Sequence, residues 1–130
     1  MAEGLSAAQA NAFLNSLCRG TAYTPPAGIW VKLHTGAPGA AGTSNAAGNT
    51  TRQQGTFGTN ASAGAISNTV AIAWTSVGTA EDYTHASLWD ASTSGNFLGS
   101  GAITANAVAV GDDFTLPIGD LDVVITPIAS

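Results

Sequence analysis

The sequence predicts a mainly β protein, an antiparallel β-sandwich or barrel of about six to eight short strands preceded by one short N-terminal α-helix. Three observations predict this class. Helical periodicity is confined to residues 5–20. Alternation of apolar and polar side chains follows, and turn-forming residues recur at intervals of roughly 8 to 12 residues. Because no second helix is expected, the pattern does not favour parallel βαβ units.

The composition favours one domain that is partly covered by neighbouring molecules. A chain of 130 residues has the length of one ordinary domain, and we expect a single β-domain across residues 1–130. Only 8% of the residues are charged, against about 25% in typical soluble domains. A surface with so few charges is common in proteins that bury part of it against partners, so the composition favours an assembly component.

The first element is a helix predicted over residues 5–19. Ser6 followed three residues later by Gln9 is the pattern of a capping box, and Gly20 suits the position just after a helix. Apolar side chains recur at helical spacing and form one stripe: Ala10, Phe13, Leu14 and Leu17. A helix of this length is marginal alone in water. We therefore expect the stripe to pack against the sheet, with Cys18 as a small buried side chain.

The remaining elements are predicted from alternation with a period of two. In residues 29–34, Val31 and Leu33 alternate with other side chains, which predicts a strand with two different faces. In residues 66–74 the alternate positions are expected to face inward, Val70 among them. The turn-rich run ASTSGN favours a hairpin between its flanking strands. Further strands are expected at residues 52–57, 83–90, 96–104, 114–117 and 121–126.

A long loop is predicted at residues 35–50, where glycine, alanine, serine and asparagine dominate. The loop contains no carboxylate, thiol or amine side chain, so it offers nothing reactive to an enzyme. Small side chains lose little entropy when they are ordered. We therefore expect this loop to lie flat against a partner protein or another copy of the chain.

Two histidines, His34 and His85, are the first candidates for chemistry. A pair of histidines could bind a metal, but zinc normally takes three or four ligands, and no HxH, HExxH or CxxC spacing is present. The alternative is that each imidazole hydrogen-bonds the backbone of a loop and fixes it. The sequence favours this structural role over a metal site.

The aspartates are interpreted as turn residues. Asp112 and Asp113 form one pair, and Asp120 and Asp122 form another near the ends of predicted strands. Paired carboxylates can perform acid–base chemistry or hold calcium, but the alternating oxygen ligands of calcium loops are missing. Hydrogen bonds to the local backbone explain these positions more simply. No catalytic, cofactor-binding or metal-binding residue is predicted, and we do not expect an enzyme or a cofactor.

Charge and composition also exclude several partners. Three basic residues face eight acidic ones, for a net charge of −5, so the basic surface required for nucleic acid or an anionic membrane is missing. We find no apolar run of about 18 residues that could cross a membrane and no pattern of a secretory signal. The single cysteine allows no intrachain disulfide.

The aromatic residues are distributed along the predicted elements, which is typical of a β-sandwich core. Trp30 differs, because it alternates with the inward-facing Val31 and Leu33 and lies beside Lys32. It is the tryptophan that we expect to meet another chain or the helix. The candidate partner contacts are Trp30, Lys32, Phe13 and Leu17.

Several short motifs, taken in order, carry a resemblance to a known family. They are Leu33-His34-Thr35, Ser67-Asn68-Thr69, Thr84-His85, Gly95-Asn96-Phe97-Leu98-x-x-Gly101 and Gly111-Asp112. From Leu5 to about Ile125 the chain resembles small virion proteins of tailed bacteriophages, often described as tail fibre or minor structural proteins. Members begin with a short helix before an all-β domain. Ala37 departs from the family, which usually carries an acid before the proline, and the loop lacks the family's usual glutamate.

The resemblance implies a virion structural protein that is assembled in the cytoplasm of a bacterial host. Because a short helix without heptads precedes the β-domain, we expect a capsid decoration (cement or minor capsid) protein that bridges subunits of the head. The partner would then be the major capsid protein. The alternative is a minor tail or tail-fibre-associated protein with tail proteins as partners, and a remote alternative is a carbohydrate-binding β-domain. Self-association, with a trimer as one option, is expected in either virion role.

Overall fold

The computed structural model describes residues 4–125, and its fold is mainly β. All strand pairs are antiparallel, and none of the sheets closes on itself. The predicted fold class is therefore confirmed as open sheets rather than a barrel. The elements among the described residues are β1 (Gly4–Leu5), α1 (Ala7–Arg19), β2 (Ile29–His34), β3 (Gln53–Gly55), β4 (Ala65–Ser67), β5 (Ile72–Trp74), β6 (Glu81–Trp89), β7 (Phe97–Val108), β8 (Phe114–Leu116) and β9 (Asp122–Val124).

The largest sheet has five strands in the order β1-β7-β6-β2-β3. Its centre is the hairpin of β6 and β7, the two longest strands, which the turn signal ASTSGN predicts. Strand β2 pairs with β6 so that Trp30 lies opposite Trp89 and His34 lies opposite His85. The two smaller sheets pair β4 with β9 and β5 with β8. The predicted end of the last strand at residue 126 lies outside the described residues.

The core lies between one face of the large sheet and the small β5–β8 sheet. Val31 and Leu33 are completely buried in it, as their alternation along β2 predicts. An aromatic group fills its centre, where the ring of Phe114 lies 5.8 Å from Trp74 and 5.0 Å from Tyr83. The opposite face of the large sheet carries the other residues of β2, among them Trp30 and Lys32.

A β-bulge changes the side-chain pattern along β6 and β7. Tyr83 pairs with Asn106, but His85 pairs with Ala102, so the bulge leaves extra residues on β7. The bulge turns the Tyr83 ring into the core, although strict alternation would put it on the face of His85. Burial raises the pKa of the Tyr83 hydroxyl.

The single strand predicted over residues 66–74 is wrong, because Asn68 divides it into β4 and β5. The buried Asn68 amide donates to the carbonyls of Val70 (2.9 Å) and Pro117 (3.1 Å). Its oxygen accepts from the backbone N–H groups of Gly119 (3.1 Å) and Leu121 (3.0 Å). These four bonds satisfy every donor and acceptor of the amide. They hold the chain in a non-extended conformation between β4 and β5. Val70 therefore lies 53% exposed rather than inside.

Helix α1 has the expected caps at Ser6 and Gly20 and ends at Arg19, but it begins at Ala7 rather than residue 5, because Leu5 pairs in strand β1. Ser6 accepts a hydrogen bond from the Gln9 backbone N–H at 3.1 Å, and Gly20 takes the left-handed conformation with φ of 68°. In a complete capping box the Gln9 side chain would also bond the Ser6 backbone N–H, but here both groups bond to more distant residues. The Gln9 side chain donates to the Tyr23 hydroxyl, and the Ser6 N–H donates to the Leu98 carbonyl at 2.9 Å. These bonds fix the helix to the chain that follows it and to β7.

Candidate functional site

The four predicted contact residues lie on two different parts of the molecule. Trp30 and Lys32 lie on the face of the large sheet away from the core, and both are half-buried. Phe13 and Leu17 lie on α1. The fold therefore offers two candidate contact surfaces, the outer sheet face and the helix.

The outer sheet face is covered by the loop of residues 35–50, through a buried chain of hydrogen bonds. His34 Nδ1 donates to the Ser44 carbonyl at 2.9 Å, because a carbonyl can only accept. His34 Nε2 is then the acceptor for the Ser87 hydroxyl at 2.7 Å. Ser87 Oγ in turn accepts from Trp89 Nε1 at 2.8 Å. His34 and Ser87 are completely buried, so this chain fixes the loop to the sheet.

The same loop is also fixed along its own backbone. The Thr35 N–H donates to the Asn45 carbonyl at 2.9 Å, and the Ala47 N–H donates to the Leu33 carbonyl at 3.1 Å. Gly42 is buried against the ring of Phe97 with a φ of 74°, so a side chain there would overlap the ring.

The inner side of the loop thus rests on the chain's own sheet. The expectation that a partner or second copy covers the loop is wrong for this side, because small residues are needed for its close approach to the sheet. The outer side, including residues 43–46, is exposed.

The pair of His34 and Ser87 has the spacing of a base and a nucleophile, and sequence reasoning missed it. Its surroundings give it a structural use. Trp89 donates to the serine oxygen, and the loop covers both partners. Burial lowers the pKa of His34, with smaller contributions from Lys32 and His85, so the imidazole is neutral near pH 7. The structural role predicted for His34, fixing a loop backbone, matches these contacts.

Arg52 lies at one end of the outer sheet face and connects Trp89 to the β6–β7 turn. Its guanidinium lies 4.2 Å from the centre of the Trp89 ring and donates to the carbonyls of Ala91 (2.9 Å) and Ser94 (2.7 Å) in the β6–β7 turn. Trp89 is only 7% exposed. Its indole is therefore not available for the stacking that a carbohydrate-binding cleft would require.

Of the aspartates predicted to be turn residues, Asp112 bonds its local turn as predicted, whereas Asp113 and Asp122 bond distant parts of the chain and Asp122 lies within strand β9. Asp112 accepts from the Ala109 N–H at 2.9 Å, and Asp113 accepts from the Ser76 N–H at 2.8 Å. Asp122 accepts from the Ser67 hydroxyl, and Asp90 accepts twice from Asn96, whose backbone N–H is the largest cause of the lowered Asp90 pKa. Across residues 4–125, no three His, Cys, Asp or Glu side chains are grouped closely enough to hold a metal ion.

Helix α1 contradicts the expectation that its apolar stripe packs against the sheet. Two of its members are half-buried, Ala10 and Phe13, and the Phe13 ring lies 5.1 Å from Tyr23 in an edge-on contact. Leu14 is 56% exposed and Leu17 is 81% exposed. Cys18, expected to be buried, is also exposed. The half-buried positions of the helix, through which it faces the domain, are Gln9, Ala10, Ala12, Phe13 and Ser16.

An apolar groove lies between α1 and the β-domain. It has a volume of about 440 Å³, and side chains of the helix and six strands line it, among them Phe13, Ile29, Ile66 and Val123. Leu5, at the rim, is 38% exposed. Apolar surface therefore continues from the helix onto the domain.

Polar side chains thus fix loops inside the fold, and several large apolar side chains remain exposed. The sequence identifies the family of this fold. Residues 4–124 match the family described as podophage GP4 fiber I protein gp80, and the chain belongs to this family. The resemblance to tailed-phage virion proteins is thereby confirmed. No curated protein matches the chain significantly.

The family indicates a structural protein of the phage virion, of the fibre type. The part of the chain that the structure describes contains no helix long and apolar enough to cross a membrane. The predicted setting in the virion agrees with the family at this level.

Proposed function

We propose that this chain is a structural subunit associated with a phage fibre, and that it works by contact with other virion proteins rather than by catalysis. The observation that carries this proposal is the family match over residues 4–124. The match covers nearly every described residue, so the fibre description applies to the whole fold rather than to one motif. This reverses the order of the two virion roles that composition alone favours.

Two features of the fold support a contact role. His34 and Ser87, the two side chains best suited to act as base and nucleophile, are buried and fix a loop instead. Large apolar side chains, in contrast, lie outside, most of all Leu17. Within this role, the contacts with other virion proteins involve Trp30 and Lys32 at the edge of the loop-covered face and Phe13 and Leu17 on the helix.

Capsid decoration is the second candidate. A compact β fold behind one short helix suits a protein that lies on a capsid surface. The low charge content also suits a protein that lies on a lattice and buries surface against several neighbours. The major capsid protein would then be the partner.

The copy number and position of the protein in purified particles test these alternatives. Quantitative mass spectrometry of intact particles should give a number close to that of the tail and fibre proteins, and gold-labelled antibodies should mark the fibres in electron micrographs. A copy number comparable to that of the major capsid protein, with label over the head, would replace the fibre role by decoration. Absence from purified particles would contradict both roles.

A further inference from the structure

We propose that the apolar groove between α1 and the β-domain is the binding site for residues 126–130 of the same chain, and that Ile128 is the side chain that occupies it. The inference goes beyond the fibre role and does not depend on it, because it concerns the subunit alone.

The groove requires an apolar, uncharged occupant. Among the described residues that line it, only Gln9 and Tyr23 have polar side chains, and Gln9 donates to the Tyr23 hydroxyl. No described lining residue carries a charge. An apolar side chain placed in this groove of about 440 Å³ would remove the apolar surface on both sides from water, which is favourable.

The segment 126–130 has this chemistry. Its sequence is Thr-Pro-Ile-Ala-Ser, which contains no charged residue. Ile128 is its one large aliphatic side chain. Binding this segment therefore places no charge against the apolar walls.

The described chain already lies in the groove where this segment begins. Val123 and Ile125 both line the groove, and the Ile125 N–H donates to the carbonyl of Gly64, another lining residue, at 2.8 Å. Ile128 follows Ile125 by about 10 Å of extended chain at most. A segment joined to the wall of its site also has an effective concentration of millimolar order, which favours it over a separate partner.

The pairing of β4 with β9 offers no further place for this segment. Just before β4 the chain makes a tight turn, in which Ser62 and Ala65 exchange backbone hydrogen bonds of 2.9 and 3.0 Å. The partner strand of β9 therefore leaves the ladder beyond Gly64. Pro127 also lacks the N–H that a strand pair requires. Side-chain contact with the groove is the interaction that this arrangement leaves open.

The residues before Gly4 fit the groove less well, although Leu5 also lines it. They include Glu3, and taking a carboxylate into apolar surroundings without a partner is costly. Residues 126–130 do not carry this cost. The chemistry of the two segments therefore selects the second.

A nitroxide spin label at residue 130 provides a direct test. It is attached to the full-length variant Cys18→Ser/Ser130→Cys, because the exposed Cys18 would otherwise react with the label. We expect selective broadening of the backbone NMR signals of Leu5 and Ile29, which lie on other elements of the groove wall. Val110, beyond the far end of β7 from the groove residue Leu98, should be unaffected.

Three results of this test would overturn the proposal. One is broadening that is limited to the neighbours of Ile125, and another is broadening spread evenly over the chain. The third is broadening on an isotope-labelled copy mixed with spin-labelled protein, because the segment would then occupy the groove of another molecule.

Two isoleucine variants of the full chain separate the groove from other apolar surface. Ile128→Ser should lower the midpoint of thermal unfolding by about 3–6 °C, since apolar burial is lost, and should raise the fluorescence of added anilinonaphthalene sulfonate, which binds exposed apolar surface. The matched control is Ile118→Ser, because Ile118 is 67% exposed and does not line the groove. It should change neither quantity. Equal changes in the two variants would also overturn the proposal.

Discussion

The loop of residues 35–50 and helix α1 reverse the expectations that their compositions raise. The loop is small and polar, yet its inner side is buried on the sheet, with Gly42 against Phe97. The helix carries an apolar stripe, yet Leu14 and Leu17 face solvent. Side-chain size explains the first case, because small residues let the loop backbone approach the sheet closely. The second case shows that an amphipathic pattern does not say whether its own chain or another covers it.

The largest effect on the loop should come from removing its buried histidine. His34→Ala leaves Ser87 and the Ser44 carbonyl without their partner, and we expect a loss of about 2–4 kcal/mol in the free energy of unfolding. Denaturant unfolding measures this loss, and hydrogen exchange should show faster exchange across residues 35–50. The control is Lys32→Ala, on the same face of the same strand. A similar loss in both variants would contradict a special role for His34.

A smaller effect is expected from adding a side chain at Gly42, where the loop contacts the Phe97 ring on the sheet. Gly42→Ala places a methyl group against the Phe97 ring and strains a residue with φ of 74°, at a cost of about 1–3 kcal/mol. Gly119→Ala is the matched control, because Gly119 has a φ of 85° but nothing near its missing side chain. The difference between the two unfolding free energies measures the overlap. No difference would show that the loop can move away from the ring at no cost.

The pH dependence of stability provides a third, milder test of the loop. Burial lowers the pKa of His34 below its ordinary value of 6.5, so the unfolded chain takes up a proton more readily than the folded one. The contribution of neutral His34 to the free energy of unfolding should be fully present above pH 6.5, the ordinary pKa of histidine, and should decrease as the pH falls below it. Thermal unfolding between about pH 8 and pH 5 would measure this decline.

His34→Gln is the comparison for the pH test, because it removes the titrating group and leaves His85 in place. The decline should largely disappear, although the variant is less stable overall. Asp90 does not affect the comparison over this pH range. Its pKa is lowered, so the carboxylate stays ionised and its contribution to the free energy of unfolding is lost only at more acidic pH. An unchanged decline in the variant would assign the effect to another group.

The smallest effect is expected on the helix. Leu17→Ser should change the unfolding free energy of dilute, monomeric protein by no more than about 0.5 kcal/mol, since Leu17 is 81% exposed. Leu33→Ala, at a completely buried leucine, should cost about 2–5 kcal/mol. Denaturant midpoints at low concentration compare the two. A large loss for Leu17→Ser would mean that the helix packs against its own domain after all.

Much of the fold could be predicted, because local patterns determine it. Alternation identifies Val31 and Leu33 as core residues, and the turn signal identifies the β6–β7 hairpin. The break at Asn68 could not be predicted, since three of its four hydrogen-bond partners, Pro117, Gly119 and Leu121, are far along the chain. Regular alternation through residues 66–74 conceals such a long-range contact.

The candidate surfaces were less predictable for a related reason. The bond between His34 and Ser87 depends on the register of β2 against β6, which periodicity alone does not give. One signal does exist, because both residues occupy positions of their strands that face away from the core. For α1, the stripe correctly indicates an apolar surface, but the burial of each residue depends on how the helix is tied to β7 and Tyr23.

The fully hydrogen-bonded side-chain amide of Asn68 has a consequence for the lifetime of the protein. Asparagine ages by deamidation, in which the next backbone nitrogen attacks the side-chain carbon, and it is among the thermolabile residues of proteins. Here the attacking nitrogen of Thr69 is engaged with the Thr56 carbonyl at 2.8 Å, and the amide is held by four bonds of its own. A virion outside its host cannot replace damaged subunits. The bonds that shape the fold at this position therefore also protect it against slow chemical decay.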